Sequence, residues 1–212
     1  MAKIGNFIYL PKLHKHKIPY RGHAEKTSYE RQLQFLPEDV RFCKKCVVSN
    51  QRPRIVFDEE GICGACRWVE EKFNRIDWGP RKKQFDELMN KHRSKDNKFD
   101  VVVPCSGGKD SGVIAHKLKY EYGMHPLTVT WSPLLYTTIG FQNLQNMISS
   151  GLSNHLFTPN RHLQRNISKL GFVLLGNHFE PFGRGQMCYA FHVALDLNIK
   201  LVVFGENGEL EY

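Results

Sequence analysis

The sequence predicts an α/β protein: a parallel sheet with helices on both faces, preceded by a small zinc-ribbon-like module. Two observations support this prediction. Apolar, β-branched runs alternate with helical patterns through the second half of the chain, which is the order of elements in a parallel sheet. Upstream of them stand two Cys-x-x-C pairs separated by 16 residues, which is the spacing of a zinc ribbon.

The length of the chain limits its organisation. Its 212 residues, 41% of them apolar, are enough for one ordinary core and one smaller module. No apolar run reaches the roughly 18 residues of a membrane span, and the N-terminus lacks a signal-peptide core, so we predict a cytoplasmic protein without membrane insertion. We predict an irregular basic arm (1–41), the cysteine module (42–67), a helical linker (68–98) and a nucleotide domain (99–212).

The net charge of +9 lies in the first half of the chain. Residues 99–212 hold eight basic and eight acidic residues, so the whole excess precedes them. A solvated basic surface accounts for this pattern, and so does an acidic partner such as RNA or a docking subunit. Nucleic acid therefore stays open as a partner, although no motif requires it.

The candidate metal ligands are Cys43, Cys46, Cys63 and Cys66. Each pair directs two thiolates at one point, and the apolar run 55–57 with the turn at 58–61 predicts a hairpin that brings the pairs together. Four protein ligands leave no position for water, so we predict structural Zn²⁺. An iron–sulfur cluster, or reduced cysteines without metal, are the alternatives.

The elements follow in order after the cysteines. Residues 67–94 predict helix with a break at Gly79 and Pro80, and residues 95–98 a linker. We expect strands near residues 99–103, 126–131, 156–157 and 200–204. Helices are expected after residue 110, from about Thr138, around residues 163–170 and over 185–197.

A glycine-bearing turn separates the first of these strands from its helix. Residues 106–108 permit a sharp turn, and the backbone N–H groups at the start of the next helix favour an oxyanion. Neither G-x-x-x-x-G-K-[ST] nor G-x-G-x-x-G occurs here, so this is neither a Walker loop nor a dinucleotide fingerprint. Ligands of parallel sheets bind at the carboxyl ends of the strands. The nucleotide-binding candidates at those ends are Ser106, Gly107, Gly108, Lys109, Asp110, Ser111, Thr130, Trp131, Gly205 and Glu206.

The string Ser-Gly-Gly-Lys-Asp-Ser after an apolar strand resembles the pyrophosphate loop of N-type ATP pyrophosphatases. That resemblance implies an adenine-nucleotide alpha-hydrolase-like, Rossmann-like fold and cleavage of ATP between its α- and β-phosphates. With the four cysteines and the segments 128–131, 138–144 and 205–207, residues 41–212 resemble the N-acetyl sugar amidotransferases of bacterial lipopolysaccharide and flagellin-glycan synthesis.

The resemblance implies a reaction and its partners. ATP with Mg²⁺ would adenylate the carbonyl oxygen of an N-acetyl group on a sugar, and ammonia would displace AMP to leave an acetamidino group. A glutaminase subunit with a cyclase-like subunit would supply the ammonia. Lys109, Asp110 and Ser111 are the catalytic candidates, with Asp110 on Mg²⁺ or orienting the loop. Glu206 is a candidate for orienting substrate or metal, or else a structural cap.

Two alternatives remain open at this stage. The same superfamily includes tRNA-thiolating enzymes, for which Cys105 and Cys188 would be the nucleophiles, although we expect both to be small buried thiols. A second alternative is a non-catalytic zinc-ribbon interaction module. Finally, family members continue well past the position of Glu206, so we expect a fragment with little independent turnover.

Overall fold

The computed structural model describes residues 37, 39–52 and 55–206. It divides into two compact units between Pro80 and Arg81. Most of the predicted N-terminal arm lies outside the described residues, and so does residue 207 of the segment 205–207. The predicted domain boundaries at residues 41, 67 and 98 stay predictions. None of the described helices combines the length and apolar composition that crossing a bilayer requires.

The first unit is built on two short antiparallel contacts and a helix. Phe42 pairs with Ser49 around the first cysteine pair, and Phe57 pairs with Cys63 across the second. The apolar run and turn between them therefore form the predicted hairpin. Helix α1 (Gly64–Glu70) starts directly after Cys63 and continues into a π-helical turn, Glu71–Arg75.

Helix α2 (Trp78–His92) corrects one sequence prediction. The expected break at Gly79 and Pro80 is wrong, because the chain leaves helical structure before Trp78 instead. The Asp77 carboxylate accepts the Gly79 N–H at 2.9 Å and so satisfies a donor of the first turn. Pro80 then lies within that turn, where a missing N–H costs no helical hydrogen bond.

The second unit contains a parallel sheet in the order β1-β2-β3. Its strands are β1 (Val101–Pro104), β2 (Pro126–Trp131) and β3 (Ser153–Phe157). On the other edge of β1, Val102 donates to Leu201 and accepts from Val203, both at 2.9 Å. The predicted last strand is therefore present as a short parallel bridge at residues 201–203.

Helices join these strands as the sequence predicts. They are α3 (Lys109–Tyr120), α4 (Thr138–Ser149), α5 (Arg161–Leu175) and α6 (Glu180–Asp196). Helix α6 begins five residues before its predicted start, with Pro181 in the first turn, where proline is tolerated.

Successive side chains of β1 point to opposite faces of the sheet, and each face carries a hydrophobic core. Val101 and Val103 pack into a cluster with residues of α2, α3 and α4, whereas Val102 packs with α6. Both faces are covered, and this is why β1 is apolar at every position rather than at every second one. The predicted fold class is confirmed.

Candidate nucleotide site and metal centre

The loop between β1 and α3 lies at the carboxyl end of a fully buried strand. Gly107 has φ +87°, a left-handed conformation that glycine adopts at little cost. Gly108 precedes α3 in an extended conformation (φ −71°, ψ 158°), and no side chain caps it among the described residues. The start of α3, at the positive end of the helix dipole, thus lies at the carboxyl end of β1.

Gly107 and a distant glycine, Gly205, show how closely other segments of the chain approach the loop. A Cβ on Gly107 would lie 2.6 Å from the backbone nitrogen of Leu144 in α4. A Cβ on Gly205 would lie 2.6 Å from the backbone nitrogen of Ser111. The structure thus brings Gly205 onto the loop helix, as the convergence of strand ends predicts. Glu206 follows it as an exposed residue.

Three polar side chains of the loop, those of Ser106, Lys109 and Asp110, face solvent. Lys109 and Asp110 are 86% and 55% exposed, and the Lys109 ammonium donates to both Asp110 carboxylate oxygens at 2.7 and 2.9 Å. Ser106 is exposed as well. The Ser111 hydroxyl points back toward the strand, where the Cys105 thiol donates to it at 3.1 Å.

Thr130 and Trp131 end β2 at the same edge of the sheet, but their side chains make internal contacts. The buried Thr130 hydroxyl donates to the Cys105 carbonyl at 2.6 Å and accepts from the Asn154 amide at 2.9 Å. The Trp131 indole packs against Phe157 at a centroid distance of 5.0 Å. Both residues support the strand ends, and their role in nucleotide binding stays a prediction.

Asn154 is a supporting residue of the strand ends that sequence reasoning missed. Its amide also donates to the Thr128 hydroxyl at 2.9 Å, so it links two threonines of β2 from the neighbouring strand. Its side-chain oxygen is buried and has no hydrogen-bond partner among the described residues. The available sequence signal was an asparagine close to a β-rich stretch. The predicted strand, however, began at residue 156, two residues after Asn154.

A groove of about 540 Å³ runs beside the loop, between α3 and α4. Gly107, Lys109 and Gly112 line its loop end, and Asn146 lies on the α4 side. At its far end, the Tyr120 hydroxyl donates to the Ser150 carbonyl at 2.7 Å, which ties the end of α4 to the loop helix.

The four cysteines form a cluster in which the sulfur atoms lie within 4.8 Å of one another. Cys46 and Cys63 approach to 3.6 Å, and Cys43 and Cys66 to 4.0 Å. All four thiols are free. Two thiolate pairs converging on one point match a tetrahedral Zn²⁺ centre, so the arrangement fits the predicted ligand set.

The electrostatics of the cluster favour a cation at its centre. Burial opposes ionisation of Cys43, but N–H donors from Cys63 and Lys45 outweigh it and lower its pKa to about 6. In contrast, hydrogen bonding to the Cys46 sulfur, followed by burial, raises the pKa of Cys66 to about 12. One thiolate thus suppresses ionisation of the next, and a dication supplies the charge that four thiolates require.

The two cysteines outside this cluster differ in burial. Cys105 is buried, as expected. The expectation of a buried thiol is wrong for Cys188, which is exposed on α6. The residues on the inner side of that helix are Ala190, Val193 and Ala194, and Cys188 is not among them.

Fold and loop together define a parallel α/β protein with a glycine-rich strand–loop–helix element at the carboxyl edge of its sheet. No protein-family model and no curated protein matches the chain. Among solved structures, the fold is similar to that of the NH3-dependent NAD synthetase from Campylobacter jejuni subsp. jejuni NCTC 11168 in complex with the nitrate ion. The TM-score is 0.45 at 15% identity, over 59% of this chain and 56% of that chain.

A second similar structure is the NMN synthetase from Francisella tularensis. The TM-score is 0.44 at 17% identity, over 59% of this chain and 54% of that chain. The match thus spans little more than half the length of each solved structure. At this level of identity the likeness concerns the fold alone.

Proposed function

We propose that this chain carries the nucleotide site of an ATP-dependent, AMP- and pyrophosphate-forming amidotransferase that acts on an N-acetyl sugar. The observation that carries the proposal is the loop at the end of β1. The positive end of the α3 dipole begins at this loop, and its Lys109 and Ser106 side chains are exposed. A polyphosphate is the ligand that such a set of donors fits best.

The proposed chemistry follows from where the charge develops. The amide carbonyl oxygen attacks the α-phosphorus of ATP, the bond to the bridging oxygen breaks, and pyrophosphate leaves with that electron pair. Ammonia then adds to the activated carbon, loses a proton, and expels AMP. The negative charge on the leaving pyrophosphate grows at the loop, so Lys109, Ser111 and the start of α3 stabilise the transition state there.

Asp110 is the residue that fits the proposed Mg²⁺. Its exposed carboxylate offers the oxygen ligand that Mg²⁺ prefers, and phosphate oxygens and water would complete the coordination. When bound, the ion neutralises phosphate charge. Lys109 pairs with Asp110 in this structure, and in the proposed complex it turns to the phosphates instead.

The acceptor and the ammonia source rest on the sequence resemblance. An N-acetylated sugar in a lipopolysaccharide or flagellin-glycan route is the proposed substrate. A glutaminase with a cyclase-like subunit is the proposed source of ammonia, in the cytoplasm. Glu206, next to the glycine that contacts the loop, is the described acidic residue best placed to orient the substrate or the metal.

Product analysis tests the reaction type. With ATP, Mg²⁺, an acetamido sugar and an ammonium salt, we expect any turnover to yield AMP and pyrophosphate in equal amounts. Lys109→Ala or Ser111→Ala should slow their formation about a hundredfold, since one preorganised donor is worth roughly 3 kcal/mol. Lys91→Ala, which changes an exposed lysine at the end of α2, is the control.

Different outcomes identify the alternatives. ADP and phosphate as main products would contradict the mechanism. ATP binding without any product would favour the non-catalytic module. Salt-sensitive binding of tRNA with thiolation would favour the tRNA-modifying reaction, because counterion release makes phosphate-driven affinity fall steeply with salt.

A further inference from the structure

Helix α5 presents an apolar stripe to solvent. Leu163, Ile167 and Leu174 follow one another at helical spacing and are 55%, 40% and 56% exposed. At the end of the helix and in the turn after it, Leu175 and Phe179 are 67% and 56% exposed. This stripe runs the length of a four-turn helix, whereas an isolated exposed leucine would need no explanation.

The same helix carries positive charge and no negative charge. Residues 161–179 include three basic residues and no aspartate or glutamate, while the rest of 99–212 holds five basic and eight acidic residues. Arg161 is used internally, since its guanidinium donates to Ser132 at 2.8 Å. Arg165 and Lys169 are exposed, and neither forms an ion pair within the described part of the chain.

The charges and the stripe lie on different sides of α5. At 100° per residue, Arg165 and Lys169 lie about 180° and 140° around the helix from the centre of the stripe, with His162 beside Lys169. Buried Gln164 and Gly171 mark the side that packs on the protein. The cationic side also carries the exposed Phe172. An apolar stripe, a cationic side and a narrow packed side together describe a helix suited to the plane of a lipid–water interface.

We propose that α5 docks this protein on an anionic membrane surface, with the apolar stripe in the interface and the cations toward the headgroups. Long Arg and Lys side chains reach phosphates while their stems stay against apolar surface. Lipid is favoured over a second copy of this helix because α5 has no acidic residue to pair with a facing Arg165 or Lys169. Self-association through it would bring like charges together.

This proposal goes beyond the nucleotide chemistry and does not depend on it. It also requires no membrane-spanning segment, since an interfacial helix needs only one apolar side. The chain as a whole is basic, so charge alone would attract it to anionic lipid. The test must therefore distinguish α5 from the cations elsewhere.

Flotation with vesicles of phosphatidylglycerol and phosphatidylcholine, compared with phosphatidylcholine alone, measures the partition of the full chain. Arg165→Gln/Lys169→Gln should lower partition into the anionic vesicles about 25-fold, or about fivefold for each charge. Lys83→Gln/Lys200→Gln removes the same charge at exposed positions outside α5 and should change the partition little.

The apolar stripe is tested separately. Ile167→Ser/Leu174→Ser should lower the partition at least about tenfold, and Leu195→Ser on α6 is the control for this change.

Hydrogen exchange gives a readout that needs no variant. Anionic vesicles should slow amide exchange in residues 161–175, and phosphatidylcholine vesicles should not. Equal partition of wild type and the α5 variants would overturn the proposal, because cations elsewhere would then carry the binding. It also fails if no vesicle binding occurs, or if Ile167→Ser/Leu174→Ser turns a sedimenting dimer into a monomer, which would assign the stripe to a protein contact.

Discussion

Gly107 is the residue at which the phosphate loop depends most on the rest of the fold. Its φ of +87° disfavours any side chain, and its missing Cβ leaves room for the backbone of α4. Two independent requirements therefore meet at one position. The neighbouring Gly108 has neither, since its φ is −71° and its Cβ would lie 3.6 Å from the nearest atom, Ser106 Oγ.

We predict that Gly107→Ala lowers the free energy of unfolding by at least about 2 kcal/mol and abolishes ATP binding. The strain of a left-handed alanine adds to a backbone clash that flexible side chains cannot relieve. Gly108→Ala should cost less than about 1 kcal/mol. Urea denaturation and calorimetric titration with ATP measure both effects. Equal destabilisation by the two substitutions would contradict the proposed packing of the loop.

A second prediction at this scale concerns Asp96, in the turn before β1. Lys98 first, and then the Ser94 hydroxyl, lower its pKa to about 2. An acid with a depressed folded-state pKa stabilises the fold above its unfolded pKa of about 3.9 and loses that contribution as pH falls through the folded value. The urea midpoint of wild type should therefore exceed that of Asp96→Asn at pH 6, by a small amount because the pair is exposed. The difference should shrink between about pH 4 and pH 2, whereas a constant difference over that range would show that the carboxylate is not responsible.

At the scale of elements, a glycine in α6 allows this helix to pack closely against the end of β2. A Cβ on Gly185 would lie 2.6 Å from Trp131 Cζ2 and Nε1, whereas a Cβ on Gly183 in the same helix would meet nothing within 4 Å. The Trp131 ring is further enclosed by Phe157 and by Tyr189, whose centroid is 5.6 Å away. The end of β2 and the middle of α6 are thus matched in shape.

We predict opposite effects from two identical substitutions in α6. Gly183→Ala should stabilise the protein by up to about 1 kcal/mol, because alanine has the higher helix propensity. Gly185→Ala should destabilise it by about 1–3 kcal/mol through overpacking and should alter the Trp131 emission. Urea unfolding followed by tryptophan fluorescence, with Trp68 and Trp78 replaced by Phe, measures both. Stabilisation by Gly185→Ala would contradict the contact.

For the whole molecule, the two units depend on different sources of stability. Among its described residues, the first unit contributes only Cys43 and Cys63 to the buried apolar residues, whereas both hydrophobic clusters are built from described residues of the second unit. Below about 40 residues, a module without a sizeable core usually requires a metal or cross-links. Metal should therefore stabilise one unit and leave the other largely unaffected.

We predict one Zn²⁺ per chain and its loss in Cys63→Ser. Elemental analysis measures the metal, and Cys188→Ser, which removes an exposed thiol outside the cluster, is the control that should keep it. Hydrogen exchange of Cys63→Ser should rise in residues 39–75 and stay near wild type in the sheet, because metal binding and local folding are coupled. Iron, or a folded protein without metal, would remove this prediction.

The sequence by itself determined the order of elements, the sheet class, the strand–loop–helix at residue 106 and the grouping of four cysteines into one cluster. Each of these depends on local signals: side-chain period, β-branching, turn residues and short ligand spacing. At the start of α2 two local signals disagree. Gly79 and Pro80 predict a helix break, whereas the Asp77 carboxylate accepts a hydrogen bond from the first turn of a helix that begins at Trp78.

Only the tertiary structure decided which residues of the carboxyl edge face solvent and which pack inward. Thr130 and Trp131 were equivalent to Lys109 as sequence candidates, yet they pack inward because Asn154 and Gly185 approach from distant parts of the chain. The need for glycine at Gly107 and Gly205 likewise comes from segments more than 30 residues away. Such contacts depend on how the elements pack, and packing leaves no period or motif in the local order of residues.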